Sequence, residues 1–233
     1  MNKLKKLLQE LQDSILKNSI DSKITIILTT CVNVDLNKNP LYQKKKDERI
    51  LIYSKAIQKW IDKTNLKIIV IENSGYNFPA FQSKQNHRFE IISFIENETP
   101  YYKSLLFKNS KGSSEILSIN YAFEMSKLIK STDFICKVTG RYFITDFEEY
   151  LNQINIFKYD CFTQNNINRC EFVGCQYYLF DKIFSLNIDE KFKGHVESDF
   201  KYRILKYKNT LKCKEFNIEP TKMGGLNITN ITL

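Results

Sequence analysis

The residues best suited to chemistry in this chain are carboxylates and cations placed beside turns. Glu72, Glu171, Glu197 and Asp199 are the candidates for a general base. Glu197 and Asp199 stand at the start of an expected helix just after His195. A base must reach its proton before its pKa matters, so a capping or surface role is the alternative for each. The chain has only two histidines, His87 and His195, and no nucleophile–His–acid triad is readable around them. Cys170 and Cys175 have a CxxxxC spacing, but no second pair with histidine completes a zinc pattern. No P-loop and no GxGxxG is present.

The cations are the sharper signal. In "DFICKVTGRYFI" (133–144) an apolar strand ends on Thr139, Gly140 and Arg141, with Lys137 just inside it. A cation on a central strand is costly unless it is paired or faces a ligand, and arginine suits bidentate phosphate contacts. The alternative is a structural salt bridge from Lys137 to Glu72 or another carboxylate. A second cationic place is "KNSKGSSEIL" (108–117), where Lys108, Lys111, Gly112 and Ser113 immediately precede a helix. A helix start offers free amides and partial positive charge to an anion. Ser113 or Ser114 as a plain N-cap, with Glu115 in the first turn, explains the same residues.

These groups need elements to position them. "KITIILTT" (23–30), "LKIIVIENSGYN" (66–77), "RFEIISFI" (88–95) and "DFICKVTG" (133–140) are short apolar runs of the kind buried in a parallel sheet. Between them, 47–64 places Ile50, Tyr53, Ile57, Trp60 and Ile61 on one helical face, and 113–130 is a second long helix. The order predicts an α/β fold: one domain with a mostly parallel central sheet flanked by helices. In such sheets ligands sit beyond the carboxyl ends of strands. Polar residues follow three strands there: Thr29, Thr30 and Cys31; Glu72, Asn73, Ser74 and Gly75; and Thr139, Gly140 and Arg141.

After Thr145 the pattern changes to a short helix at 146–154, then two strands at 159–164 and 170–180 that read as antiparallel about an Asn-rich turn. Short helices follow at 181–187 and 195–208, then a last strand at 211–218 and a small tail. This predicts three regions: 1–21, an amphipathic helix carrying Leu4, Leu7, Leu8, Leu11 and Ile15; 22–145, a nucleotide-binding α/β half; and 146–233, a smaller, partly antiparallel acceptor-side half of the same domain.

Composition bounds the rest. The 233 residues are 42% hydrophobic and 13% aromatic, enough for a sizeable core. The net charge is +9, mostly dispersed lysine, which suits an anionic ligand, an anionic membrane surface or nucleic acid. Aromatics at core spacing and dispersed lysines argue against nucleic acid. No apolar run nears the ~20 residues of a membrane span. Six cysteines in mostly apolar contexts, with no signal peptide, lead to the expectation of a reduced, cytoplasmic setting. The amphipathic first helix leaves peripheral contact with the inner face of a membrane open.

The order "ITIILTT", "IIVIENSGY", "KGSSEILSINYAF", "ICKVTGRYF", "CEFVGC", "HVESDF" resembles glycosyltransferases of the GT-A type. Among these it is most similar to small sugar transferases of bacterial surface-polysaccharide clusters and large DNA viruses. The resemblance spans roughly 22–220 and implies a Rossmann-like, GT-A-like domain that moves a sugar from a nucleotide-sugar donor to a hydroxyl of a glycan or lipid-linked acceptor. It implies that Thr29, Thr30 and Cys31, with Glu72 to Gly75, lie against the nucleotide, that Lys111 to Ser114 approach the donor, and that Glu197 or Asp199 is the base, inversion being preferred. It places Thr139, Gly140 and Arg141 where the family holds Mn²⁺ or Mg²⁺ on an aspartate pair. That pair is absent here, and Asp146 alone is a poor site. The expectation is therefore that Lys137, Arg141 and Lys111 stand in for the metal. The rival readings are a sugar nucleotidyltransferase, a basic nucleic-acid-binding module and an inactive glycosyltransferase homologue.

Overall fold

The computed structural model describes residues 23–35, 43, 45–223 and 228–233. The expected amphipathic helix at 1–21 lies outside the described residues.

The four apolar runs form strands β1 (Ile24–Thr30), β2 (Lys67–Glu72), β3 (Phe89–Ser93) and β4 (Phe134–Thr139). They pair in parallel, in the order β3-β2-β1-β4. The sheet continues through β6 (Phe172–Gln176), β5 (Cys161–Thr163) and β7 (Thr210–Lys212). Within it β6 alone runs against its neighbours: it is antiparallel to both β4 and β5, while β5 and β7 are parallel. The result is the mostly parallel, Rossmann-like sheet expected from the sequence, with strands from both halves of the chain.

Pleating sends alternate side chains to opposite faces. Ile24, Ile26, Leu28, Ile68 and Val70 pack on one face with Tyr53, Ile57 and Trp60 of α1 (Lys46–Lys63). Ile27, Ile69, Ile71 and Ile135 pack on the other. There they meet Ile116, Leu117 and Ile119 of α3 (Lys111–Met125), a helix preceded by the short α2 (Pro100–Ser104). Phe147 and Leu151 of α4 (Phe147–Ile154) join the first face. Ile183 of α5 (Phe180–Ile183) and Phe200 of α6 (Val196–Ile204) join the second. Helices thus cover both faces of the sheet.

Three boundaries differ from the sequence reading. The second long helix runs 111–125, not 113–130, because Ser126 stops it: its Oγ accepts from the amides of Leu128 (3.0 Å) and Ile129 (3.4 Å) and donates to Glu90 (2.6 Å). The helix expected at 181–187 is the single turn α5. The last strand divides into β7 and β8 (Asn217–Lys222), the latter pairing with β9 (Thr229–Thr232). Cys213 and Phe216 are both buried, and their odd spacing cannot be met by one strand of period two.

Register levels the strand ends. Thr29 of β1 stands beside Thr139 of β4, and Thr30 beside Glu72 of β2, so the three polar turns share one sheet edge. The chain leaves β1 toward β2 and β3, then returns to place β4 on β1's other side. The crevice between β1 and β4 is therefore the point where strand order reverses, the usual ligand position in open α/β sheets.

Candidate functional site

A cavity of about 970 Å³ opens over this edge. Thr29, Thr30, Cys31, Asn73, Ser74 and Thr139 line it from the strand ends. Lys111, Gly112, Ser114 and Glu115 line it from the start of α3, Arg141 from the turn after β4, and His195 and Glu197 from the start of α6.

Two glycines explain how closely these parts meet. A Cβ on Gly140 would lie 2.5 Å from Thr30 Cγ2 and 2.8 Å from the Thr29 carbonyl oxygen, so only glycine lets the ends of β1 and β4 close. A Cβ on Gly112 would lie 2.7 Å from Val196 Cβ and 2.9 Å from the Gly194 carbonyl oxygen, so glycine also seats α3 on α6. Lys193 and Gly194 both have positive φ, and that turn carries the chain into α6.

The helix start differs from expectation. The N-cap of α3 is Ser110, not Ser113 or Ser114, and its Oγ accepts from the amides of Gly112 (3.1 Å) and Ser113 (3.4 Å). Ser113 is buried and does not line the cavity. With those amides engaged, α3 brings the Lys111 side chain to the cavity.

Three cations converge. Arg49, missed by the sequence reading, is buried and held by the Cys31 carbonyl (2.6 Å), the Gln43 carbonyl (3.2 Å) and the Tyr53 hydroxyl (2.7 Å). Arg141 Nη1 donates to Gln43 Oε1 (3.3 Å) and the Lys222 carbonyl (3.4 Å), while its buried Nε has no partner among the described residues. Lys111 completes the set. Its pKa lies below the ordinary lysine value through burial, then the charges of Arg141 and Arg49, with Glu197 opposing. Three cations lining one cavity repel one another, as the lowered pKa of Lys111 reflects, and an anion among them relieves the repulsion.

Lys137 is a correction. Its side chain is fully buried, does not line the cavity, and pairs with Glu115 Oε1 at 2.7 Å. It also donates to Thr139 Oγ1 (3.2 Å) and the Cys170 carbonyl. Burial is the largest influence and lowers its pKa; Glu115, Cys170 and Glu171 together outweigh it and hold the ammonium above the ordinary value. The salt-bridge alternative holds for Lys137, with Glu115 and not Glu72 as partner.

Glu72 is equally committed. Fully buried, it accepts from the Val32 amide (2.7 Å), the Ser74 hydroxyl (2.6 Å) and the amides of Ser74 (2.9 Å) and Tyr76 (2.8 Å). It ties together the loops after β1 and β2, and neither it nor Gly75 lines the cavity.

Of the base candidates, Glu197 is exposed and lines the cavity near Lys111. Asp199 is buried away from it and paired with Arg203 at 2.5 Å; burial raises its pKa while Arg203 opposes. Asp199 is thus placed to hold α6, not to reach a substrate. Glu171 lines the cavity but is paired with Arg169.

The resemblance implies a divalent ion at this edge, and the residues do not fit one. Among the described residues no three His, Cys, Asp or Glu side chains converge to hold a metal. Arg141 stands at the end of β4, Glu115 and Glu171 are paired with cations, and Asp146 does not line the cavity.

No protein-family model matches this chain, and no curated protein does. Among solved structures, it is similar to a protein assigned as a nucleotide-diphospho-sugar transferase from Desulfovibrio desulfuricans G20, at 11% identity and TM-score 0.49, covering 82% of this chain and 80% of that one. It is similar to a cytidylyltransferase from Leptospira borgpetersenii serovar Hardjo-bovis, at 12% identity and TM-score 0.46, covering 82% and 76%. It is also similar to 4-diphosphocytidyl-2C-methyl-D-erythritol synthase from Anaerococcus prevotii, at 11% identity and TM-score 0.43, covering 84% and 88%. The site is read from its own geometry.

Proposed function

We propose that this chain is a nucleotide-sugar-dependent glycosyltransferase whose donor diphosphate is held by fixed side-chain cations. What carries the reading is the convergence of Arg49, Lys111 and Arg141 beyond the carboxyl ends of β1 and β4, with the buried Nε of Arg141 unpartnered among the described residues. A buried unused donor costs stability unless a ligand meets it. A diphosphate supplies acceptor oxygens and charge at once.

In this reading the nucleoside lies toward Thr29, Thr30, Cys31, Asn73 and Ser74. An acceptor hydroxyl of a glycan or lipid-linked sugar attacks the anomeric carbon. The new C–O bond forms as the bond to the diphosphate breaks, and the hydroxyl proton passes to Glu197. The nucleoside diphosphate leaves carrying the bonding pair, and the three cations stabilise that charge, most strongly in the transition state. Because one base on the acceptor side is enough for direct displacement, inversion is the preferred outcome.

The test is a thermal-shift screen of UDP- and GDP-sugars against wild type and Arg141→Ala. A ligand at about a hundredfold its Kd adds about 2.7 kcal/mol, a rise of roughly 5–10 °C for a chain this size. Wild type should show that rise with one nucleotide class and not with oligonucleotides, and Arg141→Ala should lose most of it. Equal shifts in both proteins would overturn the diphosphate assignment.

A further inference from the structure

The cavity holds a carboxylate that this mechanism does not use. Glu115 stands on α3 above the β1–β4 crevice, its side chain 18% exposed. Its Oε1 accepts from the Lys137 ammonium (2.7 Å) and the Thr29 hydroxyl (2.9 Å). Oε2 accepts nothing among the described residues, and it is not among the buried unpartnered atoms, so it is the oxygen open to the cavity.

A negative group beside three cations is out of place in a site built only for phosphate. It repels the anion those cations attract. It is nevertheless held firmly: Lys137 is fully buried and itself fixed by Thr139 and the Cys170 carbonyl, and Thr29 is fixed at the end of β1. An acceptor preorganised this way binds a donor group at little further entropic cost. An uncharged hydroxyl attached to the diphosphate is the ligand chemistry that uses both features together.

We propose that Glu115 binds a hydroxyl of the nucleotide-sugar donor through Oε2, and that Lys137 is the positioning residue that aims it. The hydroxyl belongs to the ribose or to the transferred sugar. The proposal rests on the diphosphate reading of Arg49, Lys111 and Arg141. It makes Glu115 a specificity determinant: the three cations draw any diphosphate to the edge, and Glu115 admits those that bring a hydroxyl to the crevice.

Glu115→Gln is the informative variant. The amide oxygen still accepts from Lys137 and Thr29, while the amide nitrogen turns a donor toward the cavity in place of an acceptor. Binding of inorganic pyrophosphate, UDP, UDP-glucose, GDP and GDP-mannose is measured by calorimetry for wild type, Glu115→Gln and Arg141→Ala. Glu115→Gln should bind pyrophosphate as tightly as wild type or tighter, since a repelling charge is gone, and should lose about tenfold or more toward the preferred nucleotide-sugar. If the loss extends to the matching nucleoside diphosphate, the contact is to ribose; if it is confined to the nucleotide-sugar, the contact is to the sugar. Wild-type affinity of Glu115→Gln for every nucleotide and nucleotide-sugar overturns the proposal. Unchanged pyrophosphate binding in Arg141→Ala overturns instead the diphosphate reading beneath it. Should Glu115→Gln lose pyrophosphate binding through misfolding, Glu115→Asp keeps the charge and withdraws the carboxylate. It should then show the same selective loss, and its absence would be equally decisive.

Discussion

At the scale of single residues, the sequence marked Lys137 as a cation needing a partner and left that partner open between Glu72 and another carboxylate; it is Glu115. Lys137 is costly on a central strand unless paired, and it is paired, but strand alternation decides with whom. Lys137 shares its face with Ile135, which packs toward α3, whereas Glu72 shares its face with Ile68 and Val70, which pack toward α1. The two cannot meet across the sheet. The parity was readable in the sequence; which helix covered which face was not, and so Glu115 was missed. Lys137→Met should destabilise the fold by about 3 kcal/mol, because breaking a buried pair leaves its partner uncompensated, and urea unfolding measures it. The folded pKa of Lys137 is raised, so its contribution is fully present below the unfolded lysine value of ~10.4 and is lost as pH climbs through the folded value. The stability gap between wild type and variant should therefore be constant through neutral pH and narrow only in strong alkali. Lys111 has the opposite sign: its pKa is lowered, and a bound diphosphate raises it again. Pyrophosphate binding in mildly alkaline buffer should take up protons, seen as a calorimetric enthalpy that varies with the ionisation heat of the buffer. Lys111→Met should reduce that variation to what the ionisation of pyrophosphate itself contributes.

At the scale of elements, strand and helix identity was largely legible because period two and period 3.6 are carried by the core residues themselves. Boundaries were legible only where an apolar run ended. Ser126 stops α3 through its own hydroxyl in the midst of a helical pattern, and Cys213 and Phe216 break a strand that composition alone would continue. The site's polar edge was visible as three polar turns after three strands, since parallel register levels them. Its second wall was not, because nothing local in the sequence shows that Gly112 exists to admit Val196. That contact sets the position of Glu197 against Lys111. Gly112→Ala pushes a Cβ into Val196 and the Gly194 carbonyl, so α6 must retreat. The expected cost is about 1–3 kcal/mol in stability. Turnover should fall about a hundredfold, the effect of roughly 1 Å of misplacement, while donor affinity changes little. A variant that lost donor affinity and turnover in equal measure would show that the α3–α6 contact shapes the donor pocket and not the position of the base.

At the scale of the whole molecule, the question is where the charge for phosphate comes from. The chain carries +9 overall, and the cavity gathers Arg49, Lys111 and Arg141 at one sheet edge, with a fourth cation, Arg169, paired to Glu171 on its wall. A divalent ion there would need carboxylates or other hard oxygen ligands left free for it. Five carboxylates line this cavity: Glu115 is tied to Lys137, Glu171 to Arg169 and Glu96 to Ser114 and Asn73, while Glu197 stands on α6 and Asp35 in the loop after β1, and no three of them converge among the described residues. An added cation would also be repelled by Arg49, Lys111 and Arg141. On the proposed reading, fixed guanidinium and ammonium groups stay aimed as the leaving diphosphate gains charge, so they would supply the same stabilisation without an exchangeable ion. Transfer to an acceptor, or slow hydrolysis of the donor, should consequently proceed at the same rate in EDTA as in Mn²⁺. It should fall about a hundredfold or more in Arg141→Ala, the scale on which single transition-state donors act. Added salt should weaken donor association, because the attraction that steers the anion is screened over about 10 Å at 0.1 M. Activity lost in EDTA and restored by Mn²⁺ would mean that the substrate's own oxygens complete a metal site after all, and the three cations would then serve to steer the diphosphate and not to replace the ion.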